Sequence, residues 1–320
     1  MSDMAYRHLG SSGLVVPVVG LGCNNFGRRI DLEATRKVVD AALEVGVTFF
    51  DTADVYGESE AFLGEILQGR REQVVLATKF GNDLRGALGD DHGARGSRWY
   101  VRRAVERSLR RLRTDHIDLY QLHRPDPSTP VDETLGALTE LVHEGKVRYI
   151  GHSNFSAWQT ADADWIARTH HLERFVSAQN EYSLLQRAVE RELLPALEHF
   201  GLGFLPFYPL ANGLLTGKYA RGAPRPAGTR LAGAQYDDYL TPERFDLVEA
   251  LQGYAKERGV GLLEVALGGL AARPAVSSVI AGATRPEQVR ANAAAGRWMP
   301  SREDLRALDA ALAPSSARSA

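Results

Sequence analysis

Short apolar runs alternate with longer amphipathic stretches along almost the whole of this sequence, and this alternation constrains the fold more than any other feature. Each apolar run has the length of a β-strand, and each stretch after it carries apolar residues at helical spacing. Strands that are separated by helices pair in parallel through right-handed crossovers. The sequence therefore predicts an α/β fold built on a parallel sheet.

Eight strand–helix units can be placed along the chain. The predicted strands cover residues 18–22, 47–50, 74–78, 117–122, 147–150, 175–179, 203–207 and 276–280, and the helices that follow them cover 31–45, 59–67, 98–113, 130–144, 156–168, 189–200, 242–273 and 286–295. Eight units in 320 residues favour a closed (β/α)8 TIM barrel over an open doubly wound sheet, although the two patterns are hard to separate. We expect a single barrel domain over residues 1–320.

Several segments lie outside the repeat. Glycine and serine between the short apolar pieces of residues 9–17 predict a small hairpin ahead of the barrel. Residues 80–96 and 210–241 are rich in glycine and longer than a barrel needs, so we expect long loops at its catalytic end. A further helix is predicted over 301–312, and a frayed tail over 314–320.

Composition narrows the classes of partner. The chain has 38 Lys and Arg against 40 Asp and Glu, a net charge of −2, so no overall field would attract nucleic acid or anionic lipid. The arginine-rich stretch 98–113 is interpreted as a helix with a solvated outer face, because apolar residues supply an inner one. The N-terminus has no apolar signal core, and no later run is long enough to span a bilayer. We expect a cytoplasmic protein with neither nucleic acid nor membrane as partner.

Two kinds of site are not predicted. Gly20, Gly22 and Gly27 invite comparison with the dinucleotide fingerprint G-x-G-x-x-G, but Asn25 stands where the third glycine is required. Metal-ligand spacing is absent, and the single cysteine, Cys23, excludes an intramolecular disulfide. The sequence therefore predicts neither a Rossmann site nor a metal centre.

Ionisable residues stand where three of the predicted strands end. Asp51, Lys79 and His123 each follow an apolar run directly, and Tyr56 comes five residues after Asp51, beside a glycine. The C-terminal ends of the strands of a (β/α)8 barrel form one face, where active sites are found. We expect these four side chains to share a site. Ser153 and Gln179 fall at the ends of two later strands, at the same face.

This group of side chains suits proton transfer to a carbonyl that is being reduced. A phenol with a pKa near 10 donates its proton poorly at neutral pH, and a lysine ammonium beside Tyr56 is expected to lower that pKa. Asp51 would keep Lys79 charged, and His123 can donate a hydrogen bond to the carbonyl oxygen. No serine or cysteine nucleophile is evident. The chemistry therefore requires a hydride donor.

Five sequence blocks, taken together and in order, resemble the aldo-keto reductase superfamily over nearly the whole chain, from about Tyr6 to Asn292. They lie at residues 50–57 (FDTADVYG), 78–79 (TK), 122–126 (LHRPD), 151–155 (GHSNF) and 213–219 (GLLTGKY). The resemblance implies a (β/α)8 barrel that binds NADP(H) without a Rossmann domain. It also implies a catalytic tetrad of Asp51, Tyr56, Lys79 and His123, with Tyr56 as the acid–base residue.

The resemblance further implies which residues hold the cofactor. Ser153, Asn154 and Gln179 would bind the nicotinamide carboxamide, and the ring of Phe207 or Tyr208 would stack on the nicotinamide. The remaining contacts would come from Pro209, Leu210, Gly213, Lys218 and Arg230 in the long loop, and from Gly282, Ala283, Thr284, Arg285, Gln288 and Asn292 around the last strand and helix. Amides at the start of that helix would assist the phosphate.

Two positions depart from the family pattern. Gly282 stands where many members have a lysine for the 2′-phosphate, and Ala291 replaces an acidic residue near the adenine. Gly282 bears on the preference for NADPH over NADH, which we still expect, and Ala291 bears on the contact with the adenine.

Three functions are compatible with the sequence. The first is an NADPH-dependent reductase of aldehydes or ketones, which can also run as an alcohol dehydrogenase, so that its partner is a small carbonyl or alcohol. The second is a cofactor-binding regulatory subunit, because the resemblance extends to potassium-channel beta subunits. The third is an unrelated barrel hydrolase or lyase. The complete tetrad favours the reductase.

Overall fold

Residues 4–313 are described by a computed structural model. A two-stranded antiparallel hairpin, β1 (Tyr6–His8) and β2 (Val15–Pro17), precedes an eight-stranded parallel sheet. The strands of that sheet are β3 (Val19–Gly22), β4 (Phe49–Asp51), β5 (Val75–Phe80), β6 (Ile117–Leu122), β7 (Val147–Ser153), β8 (Ser177–Gln179), β9 (Gly203–Phe204) and β10 (Val279–Gly282). Their spatial order is β10-β3-β4-β5-β6-β7-β8-β9.

Backbone contacts beside β9 and β10 join the two ends of this sheet. Phe204 forms a parallel bridge with Val276, and its carbonyl accepts from the Ser277 amide at 2.9 Å. The Ile280 amide then donates to the Pro206 carbonyl at 3.0 Å. The prediction of a (β/α)8 barrel rather than an open sheet is confirmed.

Helices surround the barrel, and most lie within two residues of the predicted bounds. They are α1 (Leu32–Glu44), α2 (Ser59–Ile66), α3 (Arg98–Leu112), α4 (Val131–His143), α5 (Ala157–Thr169), α6 (Leu193–Phe200), α7 (Pro242–Glu257), α8 (Leu262–Ala271), α9 (Pro286–Ala295) and α10 (Arg302–Ala311).

Two helix predictions were wrong in extent. The region 242–273 contains two helices, because Gly259 adopts a left-handed φ of +64° that ends α7 before Gly261 starts α8. Helix α6 starts four residues later than expected, after a 3-10 turn over Ala188–Glu190.

The arginine-rich helix α3 packs as its pattern predicts. Its inner face, which includes Val101, Val105 and Leu112, is buried against the barrel. On its outer side Arg102 pairs with Glu140 and Glu144, at 3.2 and 2.7 Å. The guanidinium groups on this helix are therefore at least partly neutralised by carboxylates of the same chain.

The barrel interior has an apolar end and a polar end. Leu9 and Val16, from the hairpin region, pack with Phe49, Ala77, Leu119, Leu205 and Ile280 into a buried cluster. Side chains alternate between the two faces of a strand, so the residues two positions after Phe49, Ala77 and Leu119 also point into the barrel. Those residues are Asp51, Lys79 and Gln121, all buried. The hairpin thus fills the N-terminal end of the barrel, while charged groups occupy the C-terminal end.

Among residues 4–313, no helix has the length and apolar character needed to cross a membrane. Within the same range, no three His, Cys, Asp or Glu side chains are grouped closely enough to hold a metal ion. The predicted frayed tail at 314–320 falls outside the described residues.

Candidate active site

The four residues of the predicted tetrad lie together at the C-terminal end of the barrel. Asp51 is the last residue of β4, Lys79 lies near the end of β5, and His123 directly follows β6. The Nζ atom of Lys79 donates to Asp51 Oδ2 at 2.6 Å and lies 5.2 Å from the ring centre of Tyr56. The rings of Tyr56 and His123 meet edge to face, with their centres 5.8 Å apart. Ammonium, phenol and imidazole therefore form one contiguous group.

Asp51 links this group to the far side of the barrel. Its Oδ1 atom accepts hydrogen bonds from Gln121 Nε2 at 3.0 Å and from Gln179 Nε2 at 2.9 Å, while Oδ2 binds Lys79. Burial alone would lower the pKa of Lys79, but the Asp51 carboxylate, together with the smaller effects of Tyr56 and Cys23, outweighs it, and the pKa is raised. Lys79 therefore carries its charge despite complete burial.

The expected lowering of the Tyr56 pKa was wrong. Burial raises the pKa of Tyr56, and this exceeds the opposing effect of the Lys79 ammonium, so the pKa lies above its ordinary value of 10.0. Tyr56 therefore remains a phenol at neutral pH. It holds a transferable proton, and Lys79 lies where it can stabilise the phenolate that proton loss leaves.

His123 is neutral in this environment. Burial lowers the pKa of His123 to about 2, with further lowering from the positive charges of Lys79 and Arg124. A neutral imidazole carries one N–H, so it can donate one hydrogen bond and accept one. The predicted role of His123, to orient a carbonyl oxygen by donating a hydrogen bond, needs only this single N–H.

The three predicted carboxamide residues meet beside the tetrad. The Ser153 hydroxyl donates to the Gln179 carbonyl at 2.6 Å, and Asn154 Nδ2 donates to the His123 carbonyl at 2.9 Å. Gln179 commits its Nε2 atom to Asp51, as described above. The side-chain carbonyl oxygens of Asn154 and Gln179 remain as acceptors for a primary amide.

A large cleft opens above these residues, with a volume of about 1120 Å³. Every predicted site residue except the buried Lys79 lines it, including both Phe207 and Tyr208, the loop residues Pro209, Leu210, Gly213, Lys218 and Arg230, and the group Gly282, Ala283, Thr284, Arg285, Gln288 and Asn292. The sequence therefore identified residues that the fold brings to one cleft from separate stretches along most of the barrel sequence.

The loop 210–241 is more ordered than its glycine content suggested. It contains three short 3-10 helices, Ala211–Thr216, Arg230–Ala232 and Ala234–Tyr239. The Arg230 guanidinium donates a hydrogen bond across the cleft to Asn25 Oδ1 at 3.2 Å. The Arg29 guanidinium donates one to the Gly228 carbonyl of the loop at 3.3 Å. The loop thus covers part of the cleft and is attached by two hydrogen bonds to residues 25–29, the segment that follows β3.

Comparison with known proteins agrees with this architecture. The sequence model of the Aldo/keto reductase family matches residues 18–313, which include every barrel strand and all residues of the cleft. This chain belongs to the aldo/keto reductase family. Members of that family generally use a nicotinamide cofactor, and relatives named as oxidoreductases support an oxidoreductase here.

Three relatives of this aldo/keto reductase illustrate the range of the family. An uncharacterized oxidoreductase of Bacillus subtilis, YrpG, is 39% identical over 96% of this chain and 95% of its own. A probable voltage-gated potassium channel subunit beta of rice (Oryza sativa subsp. japonica) is 37% identical over 90% of each chain. L-glyceraldehyde 3-phosphate reductase of Escherichia coli is 34% identical over 91% of this chain and 87% of its own.

The aldo/keto reductase barrel also places an acid that sequence reasoning missed. Asp54 lies three residues after Asp51 but points away from the cleft, into the layer between the barrel and helices α2 and α3. Neither of its carboxylate oxygens has a hydrogen-bond partner in the described structure, and the hydroxyl of Tyr120, whose pKa the Asp54 charge helps to raise, also lacks one. Burial, reinforced by repulsion from the buried Glu60, raises the pKa of Asp54 well above its ordinary value.

Asp54→Asn is expected to stabilise the protein at alkaline pH. Folding raises the pKa of this carboxyl group. The stability that the group contributes is therefore fully present below its pKa in the unfolded chain, and it is lost as the pH rises through its pKa in the folded protein. Asparagine cannot ionise, so it avoids that loss. We expect the variant to gain about 1 to 3 kcal/mol at pH 8 and little or nothing near pH 4. Thermal melts at both pH values measure this.

The matched control is Asp162→Asn, at an exposed position of α5. Its melting temperature should equal that of the wild type at both pH values. A loss of stability in Asp54→Asn at pH 8 would show that ionised Asp54 has a stabilising partner, and an equal shift at both pH values would show that ionisation of Asp54 does not cause the effect.

Proposed function

We propose that this protein is an NADPH-dependent reductase that converts aldehydes or ketones to alcohols, reversibly, with Tyr56 as the proton donor. The observation that carries the proposal is the contact between a buried, charged Lys79 and a protonated Tyr56 at the floor of a large cationic cleft. An isolated phenol would be a poor acid at neutral pH, and the lysine supplies the charge that favours its conjugate base.

The cleft residues fit a phosphorylated dinucleotide. The cationic side chains that line it in or beside the long loop and at the start of α9 are Arg29, Lys218, Arg230 and Arg285, and within residues 4–313 none of them forms an ion pair with a carboxylate. Most other arginines of the described chain have such a partner. Unpaired guanidinium and ammonium groups that converge on one cleft suit phosphate groups.

NADPH, when bound in this cleft, supplies the hydride. Asn154 and Gln179 would hold the carboxamide through their free side-chain oxygens. Of the two candidate rings, Tyr208 is the more exposed to the cleft, at 40%, and lies under the Arg230 guanidinium, with 5.7 Å to its ring centre. We therefore favour Tyr208 over Phe207 as the ring that stacks on the nicotinamide.

The chain's own groups would then complete the reduction. The carbonyl oxygen lies between the Tyr56 hydroxyl and the His123 imidazole, and negative charge grows on it as the carbon accepts the hydride. Tyr56 gives its proton to this oxygen. The resulting phenolate is stabilised by Lys79, whose charge Asp51 maintains.

The proposal is tested by measuring NADPH binding and then NADPH oxidation over a broad panel of aldehydes and ketones. Turnover of at least one carbonyl class is the expected result. A cofactor-binding regulatory subunit is the second candidate, because the rice relative is named as a potassium channel subunit beta. Tight NADPH binding without turnover of any compound would favour that candidate.

Arg285→Ala is expected to weaken NADPH by about 10- to 150-fold and to leave NADH almost unchanged. Position 282 is a glycine, so no lysine is available there to bind the 2′-phosphate. Arg285, at the start of α9, is the residue proposed to bind it. A hydrogen bond to a charged group contributes about 1.5 to 3 kcal/mol, which corresponds to that loss of affinity. Titration of wild type and variant with both cofactors measures it.

Arg290→Ala is the matched control on the same helix, because Arg290 pairs with Glu44 outside the cleft at 2.7 Å. It should bind both cofactors as the wild type does. Equal wild-type affinities for NADPH and NADH, or equal losses for both in Arg285→Ala, would remove the 2′-phosphate role.

A further inference from the structure

Arg124 is a cation of the cleft that the proposed cofactor contacts do not use. Lys218, Arg230 and Arg285 are assigned to the cofactor, and Arg29 is attached to the Gly228 carbonyl. Arg124 is exposed, lines the cleft and has no hydrogen bond or ion pair within residues 4–313. Its role is therefore open.

The position of Arg124 places it at the reacting end of the cleft. It directly follows His123, so the Cα atoms of the two residues are about 3.8 Å apart. Its charge is close enough to His123 to contribute to the lowering of that residue's pKa. The side chain therefore starts beside the imidazole that faces the reacting carbonyl, well away from the cations at α9.

A polar residue, Asn82, follows the end of the adjoining strand β5, as Arg124 follows the end of β6. Strands β5 and β6 are in register at Phe80 and Leu122, so Asn82 and Arg124 lie two residues beyond one registered pair. Asn82 also lines the cleft, and its backbone is fixed by a hydrogen bond from the Tyr100 hydroxyl at 3.1 Å. A guanidinium and a primary amide therefore both line the cleft beyond the ends of two neighbouring strands.

The nearest carboxylate in sequence is not available to neutralise Arg124. Asp126 accepts hydrogen bonds from the amides of Gly96 and Ser128 and from the Thr129 hydroxyl, at 2.6, 2.8 and 2.7 Å. These bonds hold Asp126 against the loop before α3. The positive charge of Arg124 is therefore left for a ligand or for solvent.

We propose that Arg124, assisted by Asn82, binds an anionic group of the substrate, a phosphate monoester or a carboxylate. The carbonyl end of that substrate lies at Tyr56 and His123, so this inference rests on the proposed reductase function. Because Arg124 is adjacent to His123, only a few bonds separate the carbonyl carbon from the anionic group. The substrate class is thus short, anionic aldehydes or ketones.

The test compares two pairs of aldehydes whose members differ chiefly in the anionic group: glyceraldehyde 3-phosphate with glyceraldehyde, and succinic semialdehyde with butanal. For each pair we take the ratio of kcat/KM for the anionic member to that for the neutral one, with saturating NADPH. The wild type is expected to favour the anionic member of at least one pair by about 10-fold or more. The pair that shows this preference distinguishes phosphate from carboxylate recognition.

Arg124→Gln should lower that ratio by about 10- to 100-fold, mainly through KM, because a charge-assisted hydrogen bond to the substrate is lost. Arg124→Lys keeps the charge and should restore part of the ratio. Arg306→Gln makes the same charge change at an exposed position of α10, outside the cleft, and should leave the ratio as in the wild type. Raising the salt concentration should reduce the ratio in the wild type.

The remaining outcomes contradict either the anion site alone or the proposed reductase function. A wild type that reduces the neutral aldehydes equally well, or an Arg124→Gln variant that lowers both members of a pair equally, overturns the anion site while the reductase function stands. Failure to reduce any of the four aldehydes or any member of the wider carbonyl panel overturns the proposed function, and the inference with it.

Discussion

Replacing Tyr56 by phenylalanine is expected to lower kcat for carbonyl reduction by about two to four powers of ten, while the affinity for NADPH stays nearly unchanged. The substitution deletes the hydroxyl that carries the proton and keeps the ring, which packs against His123 and lies near Lys79. Steady-state kinetics with the best aldehyde of the panel and a direct NADPH titration measure the two effects separately.

Tyr6→Phe is the matched control for this experiment. The Tyr6 hydroxyl donates to the Gly46 carbonyl at 2.9 Å, near the opposite end of the barrel, so its loss should leave kcat as in the wild type. A Tyr56→Phe enzyme that kept more than about half of the wild-type kcat would fall far outside the range for a lost general acid. Tyr56 would then not be the proton donor.

Lys79→Met is expected both to lower kcat by about 100-fold or more and to destabilise the fold. Without the ammonium, nothing opposes the burial that raises the Tyr56 pKa, so the phenol becomes a weaker acid and the alkaline limb of the pH profile moves upward. Asp51 would also be left as a buried charge without its cation, which typically costs about 3 to 5 kcal/mol. Urea unfolding and the pH dependence of kcat measure the two effects.

A double variant separates catalysis from stability. Lys79→Met combined with Asp51→Asn removes both charges of the pair, so much of the lost stability should return. Activity should not return, because the charge beside Tyr56 is still missing. Recovery of near wild-type kcat in the double variant, or an unchanged pH profile in Lys79→Met, would mean that Lys79 is not coupled to the proton donor.

The tetrad could be predicted because its residues are marked by position. An apolar strand that stops at Asp51, Lys79 or His123 places that residue at the barrel's catalytic face whatever the details of packing. The break between α7 and α8 also had a signal, in Gly259 and Gly261, which the continuous helical pattern on either side concealed.

Other features depend on burial, on the distances between charges and on the path of the folded chain, and none of these can be read from the sequence. The pKa of Tyr56 follows from burial weighed against the Lys79 charge, and the degree of burial is a property of the closed barrel. Asp54 belongs to the same sequence block as Asp51, yet only the turn of the chain after β4 sends its carboxylate behind the barrel. The bond from Arg230 to Asn25 joins residues that are far apart in sequence and meet only because the loop folds over the cleft.

The order of the site residues along the chain determines what a chimera of two family members would inherit from each parent. The residues proposed to transfer the proton lie at or after the ends of the consecutive strands β4, β5 and β6, whereas the residues proposed to hold the cofactor come from β7 onward. A chimera joined after β6 would therefore inherit its acid–base group from one parent and its nucleotide preference from the other. Among the described residues, side chains from beyond that junction donate hydrogen bonds to the tetrad from Asn154, to the His123 carbonyl, and from position 179, where Gln179 donates to Asp51. Any donor sequence that lacks an amide at this position would leave the grafted carboxylate short of a partner.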